Sequence, residues 1–473
     1  MALPIDIWAK KWLDDQREAG VTGLTVEKKK DGHHYVVKAT SVWDKENKKV
    51  ARAHGEYLGR LQPDGTFIKR ARRTKVKVRT VRCSGIPNVL YWASSNLLPA
   101  LMEEFPHHYK ELIALAWTRV AYTGTLKAVR EEWDMMDDVM NLRPSVGPDA
   151  LSDVLHEIGA DLASQQRFFS RLAVPESKDF AVDLSVCFSR AKGATLIKRG
   201  FNRFRLSYTQ FKLLLICNRV TGMPISMRPI PGNLREMTLK YTLKEMGLEG
   251  CILVLDRGFF SYEIMKEIKG KEADFIIAAK RNSKAYNHIT LGNMSFFWNK
   301  RSIRYGFGEL DGLYWYRFED IHMKGDEQSD ALTKAGTELS FEGGKQGNIM
   351  ICSSLKIPPV EIYRMYKGRE SIEQCFDSGK NILSMDRTCM RDDDGIRGHL
   401  FVTFLAMRIR LEIARQLNEK KLLGKITPED VLRKYSTVYK ITSSDADIEY
   451  DIGTDLKKFD LLLGLNIYQS NRS

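Results

Sequence analysis

Between Phe180 and Ala279 the chain passes through short apolar segments whose order few folds can accommodate. Phe180 to Leu184 reads as a buried strand. Thr209 to Val220 and Pro224 to Ile230 read as two more, joined by the turn Thr221-Gly222-Met223. A helical stretch, Leu234 to Met246, leads to a fourth strand, Cys251 to Leu255; a helix over Tyr262 to Ile268 then precedes a fifth, Asp274 to Ala279. Strands that alternate with helices in this way predict an α/β core built on a mixed sheet.

Two of these strands end in an acid, Asp183 and Asp256. Adjacent strand ends bring such side chains together, and ligands commonly sit at the carboxyl ends of strands in α/β sheets. An Asp after a strand often does no more than stabilise a turn, so a third element matters. Downstream, Tyr366, Arg369, Glu373 and Lys380 form a Y-x2-R-x3-E-x6-K pattern. At 100° per residue the four fall within an arc of roughly 60° on one helix face, which surrounds one carboxylate with cations and a phenol.

The flanks divide by pattern. Residues 1–90 read as a small basic β-rich module with strands such as His34 to Thr40 and Gly55 to Leu61, the latter closed by Pro63-Asp64-Gly65. Residues 91–175 read as helices: Leu98, Leu101, Met102 and Phe105 share a face, followed by Leu112 to Val120 and Leu151 to Phe169, where Ser152 is placed to cap. The α/β core is expected over 176–290 and 358–420, interrupted by a β-rich insertion at 291–357 that carries Phe296-Phe297-Trp298 and Tyr314-Trp315-Tyr316. Residues 421–473 form a C-terminal region without a specific motif.

Charge narrows the partners. The formal net charge is +14 over 473 residues, and residues 1–90 alone hold 20 Lys/Arg against 10 Asp/Glu. Lys69, Arg70, Arg72, Arg73, Lys75, Lys77, Arg79 and Arg82 follow one another without an acid, and the alternation Lys75-Val76-Lys77-Val78-Arg79 would put bases on one face of a strand. With a second basic cluster at Lys198, Arg199, Arg203 and Arg205, the pattern favours a long polyanion bound through phosphates. Seven scattered cysteines without a C-x-x-C pair, and histidines without ligand spacing, point to a reducing compartment and no structural zinc. No apolar run reaches the ~18–20 residues that span a bilayer, and the first residues lack a secretory apolar stretch, so a cytoplasmic protein is expected.

Six strings carry a resemblance: Val182-Asp183-Leu184-Ser185, Lys198-Arg199-Gly200-Phe201, Gly222-Met223-Pro224, Pro231-Gly232-Asn233, Leu255-Asp256-Arg257-Gly258-Phe259, and the Tyr366 to Lys380 pattern. In order and spacing the chain resembles insertion-sequence transposases of the DDE type, in the group marked by the YREK signature. One mild departure is Ser185, where that group often has Thr. The resemblance implies an RNase H-like mixed sheet interrupted by a β-insertion. It further implies Asp183, Asp256 and Glu373 as catalytic residues and as ligands for Mg²⁺ or Mn²⁺, two ions in all, with Asp183 bridging. Tyr366, Arg369 and Lys380 would hold phosphates beside the scissile bond, and Trp298, ahead of Trp315, would stack a flipped base unless either simply packs the core. The implied partners are double-stranded DNA, as terminal inverted repeats and target, and a second copy in a homodimeric synaptic complex associated with the nucleoid. The implied reaction is cut-and-paste transposition, with a hairpin on the transposon end. Two alternatives stay open: a catalytically silent transposon-derived DNA-binding protein, and a metal-dependent nuclease of the same fold.

Overall fold

The computed structural model describes residues 4–44, 49–70, 78–122, 124–173, 178–202, 207–234, 249–336, 338–341, 345–377, 379, 390–443, 447–449 and 452–468. The chain divides into two units, Met1–Lys77 and Val78–Ser473.

In the first unit, β1 (Leu24–Lys28), β2 (His34–Asp44), β3 (Lys49–Leu61) and β4 (Phe67–Lys69) form an antiparallel sheet in chain order. A helix that the strand pattern does not announce, Ile7–Glu18, packs Ala9 and Leu13 into a small core with Val26, Val36 and Leu61. Trp8 and Trp12 pack beside them, so Trp8, Ala9, Trp12 and Leu13 form a short apolar stripe at helical spacing that the strand-led reading of this module passes over. Of the basic tract, Lys69 and Arg70 lie in this unit, and Arg72, Arg73, Lys75 and Lys77 lie outside the described residues.

The second unit begins with β5 (Val78–Cys83), which pairs antiparallel with a C-terminal strand, Tyr439–Ser443. Of the alternating stretch, Val78 and Arg79 are described, and Val78 is 55% exposed and adds to no buried face. The region expected to be helical contains Gly85–Ser94, Leu98–Glu104, Tyr109–Tyr122, Val129–Met135, Pro148–Ala160 and Leu162–Ala173. Leu98, Leu101 and Phe105 are buried as their spacing predicts, whereas Met102 is 40% exposed. The single helix expected over Leu151 to Phe169 is broken at Asp161, whose carboxylate accepts the Ser164 N–H at 3.0 Å and so starts a new helix. Ser152 is not the cap. The first of the two helices starts at Gly147 with Pro148 in its first turn, where a missing N–H costs nothing.

The core is a ten-stranded mixed sheet. Its strands are β6 (Asp179–Phe188), β7 (Lys198–Arg199), β8 (Thr209–Asn218), β9 (Pro224–Pro231), β10 (Ile252–Leu255), β11 (Asp274–Ala278), β12 (Ser295–Trp298), β13 (Arg301–Leu310), β14 (Leu313–Asp320) and β15 (Asn348–Ser353). The order runs β12-β13-β14-β15-β11-β10-β6-β8, with β7 and β9 both on the far side of β8. Strands β6, β8 and β9 form an antiparallel meander, and β10 and β11 add parallel to β6. This is the mixed sheet that the strand order anticipates. The β-rich insertion continues it: β15 pairs antiparallel with β11, and β12 to β14 follow outward. A 15-residue helix, Ile321–Ala335, sits between β14 and β15. It has no buried residue, so it offers no amphipathic stripe to read; its signals are the Asp320 side chain accepting the Met323 N–H and left-handed Gly336 closing the end.

Alternation along the strands serves two cores. Ala181, Leu213, Leu215 and Cys217 face the helical layer with Phe168, Phe169, Phe401 and Phe404, while Val182, Leu214, Leu253, Leu255, Phe275 and Ile277 pack on the opposite side. The 27-residue helix Asp393–Glu419 buries its apolar face in the first of these, against the 148–160 helix and β9. Two of the resembling strings meet in the backbone. A Cβ on Gly200 would stand 2.0 Å from the Gly232 carbonyl oxygen, and one on Gly232 would stand 1.9 Å from that of Gln210. The fully buried Gln210 amide donates to both Phe201 O and Gly232 O at 3.1 Å, so these glycines allow a close approach that locks β7 onto β8 and β9.

Candidate active site

Strand register brings the two aspartates together. Strands β6 and β10 are parallel with Val182 opposite Leu255, so the next residues along each, Asp183 and Asp256, emerge side by side from the buried centre of the sheet. Asp256 heads the short helical turn Arg257–Phe259, yet its side chain makes no capping bond. It accepts from the Tyr366 hydroxyl at 3.4 Å instead. Its carboxylate is therefore directed to the site and is not consumed by the turn.

The expected single helix from Tyr366 to Lys380 is two helices, Pro359–Lys367 and Glu370–Asp377, separated at Gly368-Arg369. A Cβ on Gly368 would press within 3.3–3.4 Å of Arg219 and the Arg364 carbonyl, and glycine favours such a break. Ile362, Met365 and Tyr366 pack the first helix on Val254, Ile276 and Ala278, and Ile372 and Cys375 pack the second on the face that carries Ala181 and Cys217. Arg369, at the break, is thereby held beside Asp183 and Asp256.

Arg369 connects all three acids. Its guanidinium lies 3.3 Å from Asp183 Oδ2, 3.4 Å from Asp256 Oδ1 and 3.9 Å from Glu373 Oε1. The carboxylates grade from enclosed to open, with side chains 21%, 39% and 63% exposed in that order. One cation against three carboxylates leaves excess negative charge. Burial pushes the Asp183 carboxyl up to about 6; Arg369 and the Leu184 N–H pull it down, and Asp256 and Glu373 add to the rise. Burial, with Asp256 beside it, likewise pushes the Tyr366 phenol up to about 12, so it stays a donor. Arg369 is held above its usual range: burial opposes its charge, but Asp256, Tyr366, Asp183 and Glu373 outweigh it.

Among the described residues, no three His, Cys, Asp or Glu side chains are grouped to hold a metal ion as they stand, and Arg369 lies between the acids. The donor set itself is all carboxylate oxygen, which suits a hard divalent cation, and Arg369 offsets only part of its negative charge. Lys380, Arg203 and Arg205 lie outside the described residues, and Lys198 and Arg199 are exposed on β7. Trp298 ends the outermost strand, and its ring meets Tyr363 at 6.0 Å. Trp315 is 2% exposed, packs against Phe260 and donates to the Leu310 carbonyl, a core role. The sequence reading did not single out a buried thiol pair, Cys217 and Cys375, whose sulfurs lie 3.4 Å apart beneath the Glu373 helix.

Comparison with known proteins bears on this arrangement. Residues 182–409 match the family described as the transposase DDE domain. That segment contains Asp183, Asp256 and Glu373, and the strands and helices that position them. A cryo-EM structure of the piggyBac transposase synaptic complex with hairpin DNA is similar at a TM-score of 0.39 and 11% identity, over 74% of this chain and 76% of that one. At that level the likeness decides nothing further. Human angiopoietin-related protein 1 is 29% identical over 102 residues, 21% of this chain and 20% of that protein. The chain spans about a fifth of that relative's length. No helix among the described residues is long and apolar enough to cross a membrane.

Proposed function

We propose that the protein is a DNA transposase of the YREK group, cleaving at transposon ends and transferring the freed strand to target DNA. The observation that carries this reading is the convergence of Asp183, Asp256 and Glu373, remote in sequence, on Arg369. The mixed sheet supports it: three antiparallel strands followed by two parallel ones, in the order β9-β8-β6-β10-β11, is the arrangement expected of an RNase H-like core. The three carboxylates would hold Mg²⁺ or Mn²⁺. Bound there, the metal would supply activation of the attacking oxygen and stabilisation of the leaving 3′-oxygen.

The chain's own residues have separable tasks. Asp183 and Asp256 are fixed by the sheet and would define where a divalent cation sits; Glu373 comes from the helix Glu370–Asp377 and is the most exposed of the three. Tyr366 stays protonated near neutral pH and donates to Asp256, orienting that carboxylate. Arg369 is balanced against the acids without DNA and is near enough to turn to a phosphate, as Lys380 would from further along the chain. Lys69, Arg70, Arg72, Arg73, Lys75, Lys77 and Arg79 would track the DNA backbone, and Trp298 remains the candidate to stack a flipped base at a hairpin. A homodimer would pair the two ends.

The test is incubation of the purified protein with Mg²⁺ and DNA carrying the inverted repeats that flank its coding region. Joined product is expected. Cuts without joining would favour a nuclease, and retarded but intact DNA would favour a silent DNA-binding protein.

A further inference from the structure

The edge of the sheet that carries the carboxylates also gathers a second charged cluster, which the reading above does not use. Arg257 directly follows Asp256; Arg281 lies just past the end of β11, Arg317 is on β14, and Lys345 precedes β15. Strands β10 and β11 are parallel, so both deliver their following residues to the same edge, and antiparallel β15 starts there. These four cations surround Tyr286, which is 5% exposed. The Arg317 guanidinium and the Lys345 ammonium stand over its ring at 5.4 and 5.3 Å. Burial pushes the Tyr286 phenol up, and the charges of Arg257, Arg281 and Arg317 pull against that rise.

Glu327, on the helix after β14, is the acid paired with this cluster. It binds the Arg281 guanidinium and accepts the Gly347 N–H at 2.9 Å. Among the described residues, four cations with one carboxylate ion-paired to them leave a positive excess in a partly enclosed place, where like charges repel unless an anion joins them. The donors are also incompletely used. Arg257 Nε, Arg281 Nε and the Tyr286 hydroxyl are buried without a hydrogen-bond partner among the described residues, although the Met350 amide lies near enough to the hydroxyl to favour its anion slightly. Arg317 is the anchored member, donating to Asn348 Oδ1 at 2.8 Å and to the Ile289 carbonyl at 3.4 Å. Lys345 makes no ion pair among the described residues.

We propose that Arg257, Arg281, Arg317 and Lys345 form a phosphodiester-binding site that seats the backbone of a DNA strand next to the carboxylates. The identification of the polyanion as DNA rests on the transposase reading; the cationic site rests on the cluster itself. Guanidinium forks and an ammonium fit phosphate oxygens without reading bases, so binding here is independent of sequence and sensitive to salt.

The test is fluorescence anisotropy of a short duplex of arbitrary sequence, titrated with wild type, Lys345→Gln and Glu327→Gln at several salt concentrations. Lys345→Gln is expected to weaken binding and to reduce the slope of log K against log salt by about 0.9, the value for one lost phosphate contact. Glu327→Gln removes the opposing acid and is expected to tighten binding, a gain that damage to the fold would not produce. A Lys345→Gln slope equal to that of wild type, or a Glu327→Gln protein that binds no tighter, overturns the site while leaving the transposase reading intact. A wild-type protein that does not bind duplex DNA at all rejects both.

Discussion

Glu373→Gln is expected to reduce strand cleavage and joining about a thousand-fold or more, equivalent to about 4 kcal/mol of transition-state stabilisation, while duplex binding stays close to wild type. The substitution keeps the size of the side chain and removes its charge. Glu373 is 63% exposed and its ion pair with Arg369 is long at 3.9 Å, so the fold does not depend on it; exposed substitutions of this kind stay within about 0.5 kcal/mol. Gel assays of cleavage and joining, run beside a binding titration, separate the two effects. If the glutamine variant joins strands at the wild-type rate, Glu373 is not part of the catalytic set. If it loses binding and chemistry together, its role is to hold DNA.

Arg369→Gln should have the second large effect, and on a different quantity. Without metal or DNA, the variant leaves Asp183, Asp256 and Glu373 facing one another with no positive charge between them. Removing one partner from a buried ion pair costs about 3–5 kcal/mol, but water reaches Asp256 and Glu373, so about 1–3 kcal/mol is expected here. The pH dependence has a definite sign. Asp183 titrates at about 6 in the folded protein against 3.8 unfolded, so its contribution to stability is complete below pH 3.8 and is lost as pH rises through about 6. In the variant the attraction that lowers this value is gone, so the loss runs to higher pH. Thermal melts in chelator at acidic and alkaline pH should show a deficit that widens with pH, and Mn²⁺ should reverse it. Equal melting of variant and wild type at every pH would show that Arg369 does not balance the acids.

The legible part of this site and the illegible part differ in cause. Asp183 and Asp256 could be read because each follows a buried apolar run, 180–182 and Ile252–Leu255, and parallel pairing of those runs leaves little freedom in where the next residue goes; the expected strand end at Asp183 is not one, since β6 continues through it to Phe188 in its ladder with β8. The Tyr366, Arg369 and Glu373 grouping was readable from helical spacing, although the helix breaks at Gly368; the residues on either side are pinned by separate buried anchors, Ile362 with Met365 and Ile372 with Cys375. Spacing cannot show that Arg369 sits between the acids, because that depends on the handover from one helix to the other. The exposed helix Ile321–Ala335 left only its end signals, Asp320 and Gly336, because it buries nothing, and the helix Ile7–Glu18 offered only the short stripe Trp8, Ala9, Trp12 and Leu13. The Arg257, Arg281, Arg317 and Lys345 cluster was invisible for a third reason. Its members come from three strand-end segments and the middle of β14, and no local pattern links them until the sheet is assembled.

Diffraction from crystals soaked in Mn²⁺ and measured at the manganese absorption edge addresses the central claim directly. The account predicts an anomalous peak bound by oxygens of Asp183 and Asp256, with Glu373 drawn in and the Arg369 guanidinium displaced from between them. A peak bound elsewhere, with Arg369 still spanning the three carboxylates at saturating manganese, would contradict it.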